Sequence, residues 1–317
     1  MFEIARRPYC ARNVFALISL VALIVAASSA ANSADALLPN QKLSFDIYKE
    51  LIEIDTTTAT GDTARAADAM AARLREAGFP EADVHVFSPA PKKGNLVARL
   101  RGTGARRPIL LLAHIDVVPA SREDWSYDPF KLTEEDGYFY GRGTGDDKFM
   151  AAAFIANLIR FQQEGFKSDR DIIVVLETDE EILDRNRILP GENVDQIKTA
   201  LEHIVADDQI LVTQLGVPTL SLPSPLSDAI LGPITKLSAE FFPGAVVLPT
   251  MNPGATDGSY LRNAGIPTYG HSGLAGDIHE FRAHGKDERV LVKSFFMGSE
   301  YLYRLTKALS GDLPQKK

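Results

Sequence analysis

Apolar residues recur at helical spacing from Leu43 to Ile54, and again from Asp62 to Ala77, where Asp62 stands as an N-cap and Gly78 and Pro80 mark the end. A turn-rich stretch, Thr56 to Gly61, separates the two. Val84 to Phe87 and Asn95 to Leu100 read as strands. Pro108 to Ala113 is continuously apolar, the pattern of a strand buried on both faces, and Asp171 to Leu176 repeats it. Between these runs lie a loop with Trp125, Pro129 and Phe130, an extended stretch from Tyr138 to Gly145, and a helix from about Asp147 to Glu164. Further on, the pattern predicts a helix over Val194–Val205, strands at Ile210–Leu215 and Gly265–Tyr269, and a closing helix from Val290 to Leu309. Strand and helix alternate, so the expected fold is α/β, a three-layer α/β/α sandwich with a largely parallel central sheet.

The first residues follow a different plan. Arg6, Arg7 and Arg12 precede a stretch from Val14 to Ala27 that is apolar or small apart from Ser19, and small residues follow through Ala36. This layout predicts a secretory signal peptide over residues 1–34 and a periplasmic or secreted product with no membrane attachment after cleavage; an uncleaved anchor is the alternative. Cleavage would remove Cys10, the single cysteine, so disulfides, a thiol nucleophile and Cys-ligated metal are all excluded from the mature chain. Any metal must then be held by His and carboxylates. At 45% hydrophobic and 24% charged the composition is that of a globular protein, and the formal charge of −8 without a basic run argues against nucleic acid as a partner.

Carboxylates and imidazoles gather where buried strands end. His114 and Asp116 follow the first continuous strand, Asp146 and Asp147 follow the Gly-Arg-Gly-Thr-Gly run at 141–145, and Glu177, Asp179, Glu180 and Glu181 follow the second. In open α/β sheets the carboxyl ends of the strands form the ligand site. Three acidic clusters meeting there would repel by about 4 kcal/mol per pair at 4 Å and an effective dielectric near 20. A divalent cation removes that cost. The glycine run looks like a phosphate cradle, but no Gly-Lys-Ser/Thr follows and the Asp pair opposes a phosphate, so a nucleotide site is not expected.

These segments resemble the zinc metallopeptidase family of glutamate carboxypeptidase, succinyl-diaminopimelate desuccinylase, acetylornithine deacetylase and aminoacylase. The resemblance is carried by His114 to Pro119, by Trp125 with Asp128–Phe130, by Tyr140 to Lys148, and by Glu177 to Glu181. It continues in Gly254 to Gly258 with Arg262 and in Ala283 to Glu288, and runs from about Leu43 to Leu309. It implies a hydrolase of peptide or N-acyl amide bonds with two zinc ions. By position, Asp146 would bridge the ions, His114 would bind one, and Glu181 and His284 the other, with His271 and His279 as rival C-terminal ligands. Asp116 would orient His114. Glu180 would be the general base for the attacking water, and Arg262 would hold a substrate carboxylate. A zinc aminopeptidase and a catalytically degenerate metal- or peptide-binding relative are the alternative readings.

The pattern breaks after Glu181. The family places a lid or dimerisation domain, and a further acidic ligand, between the halves of its catalytic domain. Here Asp184 runs directly into Arg185–Gly191, which resembles the end of a lid. The expected organisation is therefore a first catalytic half over 35–184, a truncated lid remnant over 185–216, and a second half over 217–317. Impaired activity and an incomplete second metal site are the expected consequences, and the family homodimer is possible although the lid is truncated.

Overall fold

A computed structural model of the chain describes residues 36–182, 192–207, 209–213, 220–251, 256–277, 280 and 282–311. The chain separates into two units, 1–39 and 40–317. The expected leader at 1–34 lies outside the described residues, as do Arg185–Gly191 of the expected lid remnant, Gly254 and His279. No helix among the described residues is long and apolar enough to cross a membrane.

Helix α1 (Pro39–Ile52) and helix α2 (Thr63–Glu76) are the two amphipathic segments read from the sequence. Asp62 caps α2, accepting a hydrogen bond from the Arg65 amide at 2.9 Å. Strands β1 (Val84–Ala90) and β2 (Lys93–Leu100) form a hairpin closed at Ala90 and Lys93. Lys92 takes the left-handed conformation in its turn, with φ 62°. Two further strands, β3 (Ile109–His114) and β6 (Ile172–Glu177), complete a four-stranded sheet in the order β1-β2-β6-β3.

This sheet is mixed. Only β3 and β6 run parallel; β1–β2 and β2–β6 are antiparallel. The expectation of a largely parallel sheet is corrected by the hairpin, whose short turn cannot reverse into a parallel partner. Burial also differs from the two-sided pattern of the apolar runs. Ile172, Val174 and Leu176 are buried while Ile173 and Val175 between them are half-buried, so β6 faces the core with one side.

The parallel β3–β6 pair sets the location of the chemistry. Its register matches His114 with Glu177, so both strands end at the same level and deliver the loops that follow to one place. Helix α3 (Lys148–Gln163) starts beside that place and packs on β3 and β6, while helix α7 (Val292–Leu309) packs on α3 from behind. This position between sheet and helix explains why α3 buries twelve of its sixteen residues. Helix α5 (Asp228–Phe241) lies against α7.

A second, three-stranded antiparallel sheet consists of β4 (Thr133–Glu135), β5 (Tyr138–Tyr140) and β7 (Arg289–Leu291). The sequence pattern had merged β7 into the closing helix, since Val290 and Leu291 continue its apolar face. Phe139 of β5 meets Tyr48 of α1 and Phe295 of α7, joining the small sheet to the helices. Two expected strands do not form among the described residues: Ile210 to Thr213 and Gly265 to Tyr269 are irregular, and Gln214 and Leu215 lie outside the described residues. Helix α4 (Val194–Val205) is present but buries none of its residues, and Ile204 is 78% exposed.

Lys148, for which the sequence offered only a helix-start position, has a structural role. Its ammonium is fully buried and donates to the carbonyls of Leu51 and Ile54, both at 2.9 Å, where α1 ends. Burial lowers its pKa from the ordinary 10.5 to about 7. Between these values the unfolded chain binds a proton that the folded chain has lost, so this residue makes stability rise with pH across that window. Lys148→Met should leave two carbonyls unpaired and cost about 1–3 kcal/mol. Urea unfolding from pH 7 to 10 should also show a smaller rise in stability for the variant than for the wild type. Equal slopes would contradict this account.

Candidate metal centre

The loops after β3, β5 and β6 bring the predicted ligands together. His114 Nε2 lies 2.9 Å from Asp146 Oδ1, and His284 Nε2 lies 3.2 Å from Asp146 Oδ2 and 3.0 Å from Glu181 Oε1. His114, Asp146 and Glu181 each offer a ligand atom within 4.8 Å of the others. Asp146 thus stands between the two imidazoles, with one oxygen directed to each.

Asp116 joins these loops in a way the sequence did not show. Its side chain is fully buried, and its carboxylate accepts from the amides of Glu181 (3.0 Å) and Glu180 (3.4 Å). The group that meets His114 Nδ1 is instead the Asp116 backbone carbonyl at 3.0 Å; its carboxylate is 3.7 Å away. One residue therefore fixes the His114 ring through its main chain and the Glu180–Glu181 turn through its side chain.

Burial and neighbouring charges shift the titration of these groups. Burial raises the pKa of Glu181, with help from Asp146, to about 7. Burial and the charge of Asp257 raise Glu177 to about 8. Burial, then Asp257, Asp146 and Asp116, raise Glu180 in the same direction against the opposing pull of His114. The hydrogen bond to Asp146 and the charge of Glu181 raise His284 to about 9 despite partial burial. For His114 burial works downward, but the bond to Asp146 and the charges of Asp147, Asp146 and Asp116 prevail and raise it well above its usual value. The same two imidazoles overcome burial and hold Asp146 below the carboxylate range. Each of these bonds keeps a proton between two groups that are metal ligands once deprotonated. The donors are imidazole nitrogen and carboxylate oxygen, the set that suits zinc and similar divalent ions, so the residues present fit a metal.

Other candidates are placed elsewhere or engaged otherwise. His271 is hydrogen-bonded to the Tyr301 hydroxyl at 2.7 Å, which accounts for it without a metal. Asp179 is paired with Lys93. Arg262 lies on the short helix α6 (Gly258–Asn263) and donates from Nε to Ser221 Oγ at 3.0 Å.

The glycine run does cradle an anion, and the anion is internal. Glu288, 2% exposed, accepts at Oε2 from Arg142 Nη1 (2.7 Å) and the Gly143 amide (3.1 Å). At Oε1 it accepts from the amides of Gly145 (2.8 Å) and Asp146 (3.2 Å). Gly143 has φ 85°, and a Cβ there would lie 2.9 Å from Val117 and 3.0 Å from Lys148, so only glycine fits. Neighbouring Asp287 accepts from the Ser126 amide (2.8 Å) and hydroxyl (2.9 Å). Arg142 also lies over the Trp125 ring, 5.0 Å from its centroid. Sequence reasoning quoted Trp125, Arg142, Gly143, Gly145, Asp287 and Glu288 as motif members and gave them no role. The signal was the glycine cradle itself, which lacked a visible anion.

Comparison with known proteins agrees with this geometry. The model of peptidase family M20/M25/M40 matches residues 110–308, well over half of the chain. A succinyl-diaminopimelate desuccinylase of Delftia acidovorans is 36% identical over 151 residues, which cover 47% of this chain and 37% of that protein. Aminoacylase-1 of Sus scrofa is 32% identical over 143 residues, covering 44% and 34%. The chain therefore spans little more than a third of the length of these relatives. Among solved structures, the M20 family metallo-carboxypeptidase Sso-CP2 of Sulfolobus solfataricus superposes with a TM-score of 0.64 at 12% identity, covering 84% of this chain and 99% of that one. The di-peptidase Dug1p of Saccharomyces cerevisiae gives 0.61 at 12% identity, covering 87% and 97%. At such identity these two likenesses show the fold.

Metal ligands must shed their protons to bind. With His284 raised to about 9 and Glu181 to about 7, metal uptake at pH 7 should release protons, and affinity should climb as pH rises from 6 towards 9. Calorimetric zinc titrations in buffers of different ionisation enthalpy measure the release. Heats independent of the buffer would contradict the placement of protons on these ligands.

Proposed function

The chain belongs to peptidase family M20/M25/M40, and from that premise we propose that it is a zinc-dependent hydrolase of peptide or N-acyl amide bonds, of the carboxypeptidase or deacylase type. The observation that carries the reading is Asp146, with His114 at one oxygen and His284, shared with Glu181, at the other. The likeness to a desuccinylase and an aminoacylase supports an acyl amide or peptide as substrate.

In this proposal His284, Glu181 and Asp146 would hold one zinc ion, and His114 with Asp146 would hold a second more weakly because it has two protein donors. Bound there, zinc would supply Lewis acidity to the scissile carbonyl and to the attacking water. Glu180 is the general base. Half-buried, with its pKa raised by burial, it would accept a proton from water and return it to the leaving nitrogen. Asp116 aims Glu180 through its amide and His114 through its ring, so both keep their orientation during the transfer. Arg262 is proposed to meet a substrate carboxylate. The truncated lid is proposed to lower the rate about a hundred- to a thousandfold, the cost of losing one oxyanion donor. Export to the periplasm or beyond and pairing into the family's homodimer belong to the same reading.

The test is hydrolysis of dipeptides and N-acyl amino acids by the whole chain, with zinc and with a chelator. The expected outcome is slow, chelator-sensitive turnover that falls a further hundredfold or more in Glu180→Ala while zinc binding persists. Zinc titration should give about one tight equivalent and a weaker second. A folded, zinc-loaded chain with no turnover on any substrate would sink the hydrolase reading and support a degenerate binding relative.

A further inference from the structure

Taking His114, Asp146, Glu181 and His284 as the metal ligands proposed above, we propose that the buried Glu288–Arg142 pair is a positioning device that sets the separation of Asp146 from His284 before an ion arrives. The two ligands belong to segments far apart in sequence, and this pair joins them directly. Strand β7 pairs Arg289 with Tyr140 of β5, and the ladder continues one step further as the Gly141 amide donates to the Glu288 carbonyl at 3.1 Å. That register delivers the Glu288 carboxylate into the glycine loop, where the Asp146 amide itself donates to Oε1 at 3.2 Å.

Arg142 works on the other side. Its Nη1 donates to Glu288 at 2.7 Å, while Nη2 reaches the Gly285 carbonyl at 3.0 Å and the His284 carbonyl at 3.5 Å. His284 has φ 63°, a left-handed conformation disfavoured for a residue with a side chain, so the turn depends on being held from outside. Asp287, at φ 52°, fixes the far end of the same turn through Ser126. The path from one ligand to the other is thus Asp146 amide, Glu288 carboxylate, Arg142 guanidinium, His284 carbonyl. Both charged groups reach Asp146 and His284 through backbone atoms, and neither is bonded to their side-chain ligand atoms, so both act by placement.

Two conservative variants separate this role from ordinary packing. In Glu288→Gln one side-chain atom becomes a donor facing the donor amides of the loop. In Arg142→Lys the charge is kept, but a single ammonium cannot span Glu288 and the Gly285 carbonyl as the planar fork does. Arg101→Gln, which breaks the ion pair to buried Asp83, serves as a stability control outside the site. Cobalt(II) would be titrated into each folded chain, with affinity and the visible absorption of the bound ion as readouts. Glu288→Gln and Arg142→Lys should each bind about ten- to a hundredfold more weakly and show an altered spectrum, as expected when groups behind the ligands are removed. The control should keep both affinity and spectrum. Variants that fold, even with a lowered melting temperature, and bind cobalt with wild-type affinity and spectrum would overturn the proposal. A wild-type chain that binds no cobalt would overturn the metal reading itself, and this proposal with it.

Discussion

A carboxylate enclosed by the backbone amides of a glycine loop is the constraint from which the rest of the site follows. Glu288 carries its charge almost out of solvent, and four donors receive it. Removing one partner of a buried pair of this kind costs about 3–5 kcal/mol, because the other is left charged and unsolvated. The chain therefore cannot change the geometry of Gly141 to Asp146 without also releasing β7 and the turn before it. Successive amides turned to one side make a concavity that binds anions, phosphate in many proteins. Here the concavity is filled from within, which removes it from ligand binding and converts it into a joint.

That joint presents Asp146 to two imidazoles, and the charges around it then behave as a group. Burial and neighbouring acids raise Glu181 and Glu177, carboxylate partners raise His284 and His114, and the two imidazoles in turn hold Asp146 below the carboxylate range. Such opposed shifts in one cluster are a mark of a functional site. A structural ion-pair network can shift pKa values too, but it would pair each acid with Lys or Arg, as Asp179 is paired with Lys93. Asp146 and Glu181 have imidazoles as their partners instead, and an imidazole can release its proton when a metal takes its place.

The legibility of this arrangement in the sequence was uneven for physical reasons. Helices α1 and α2 and strands β3 and β6 announce themselves by periodicity, caps and apolar runs, and His114 and Glu181 stand at or just after the ends of those strands, while Asp146 follows the glycine run. What periodicity does not carry is strand order. The β1–β2 hairpin rests on a tight turn at Lys92 and the register of β2 against β6, and neither leaves a hydrophobic signature distinct from that of a parallel strand. The roles of Arg142, Lys148 and Glu288 were hidden for a related reason: a buried charge looks in sequence like a surface one until its partner is known. Asp116 was read as the residue that orients His114; that its backbone carbonyl makes the contact while its carboxylate holds the Glu180–Glu181 turn is a distinction no sequence pattern encodes.

Helix α4 shows the opposite failure, a clear pattern without a matching interior. Ile197, Leu201, Ile204 and Val205 fall on one face of a well-capped helix, with Asn193 accepting from the amides of Asp195 and Gln196. Local sequence suffices to form it, yet none of these residues is buried. An amphipathic helix owes most of its stability to packing of its apolar face. A helix with good caps and an uncovered face is therefore what remains when local instructions persist and tertiary ones do not. His114, Asp146, Glu181 and His284 contrast with it in this respect, since each is held by a contact with another residue of the site: the Asp116 carbonyl at His114, the Asp116 carboxylate at Glu181, Glu288 at Asp146 and Arg142 at His284. None of these contacts involves α4, so the packing that places the four side chains is built without that helix.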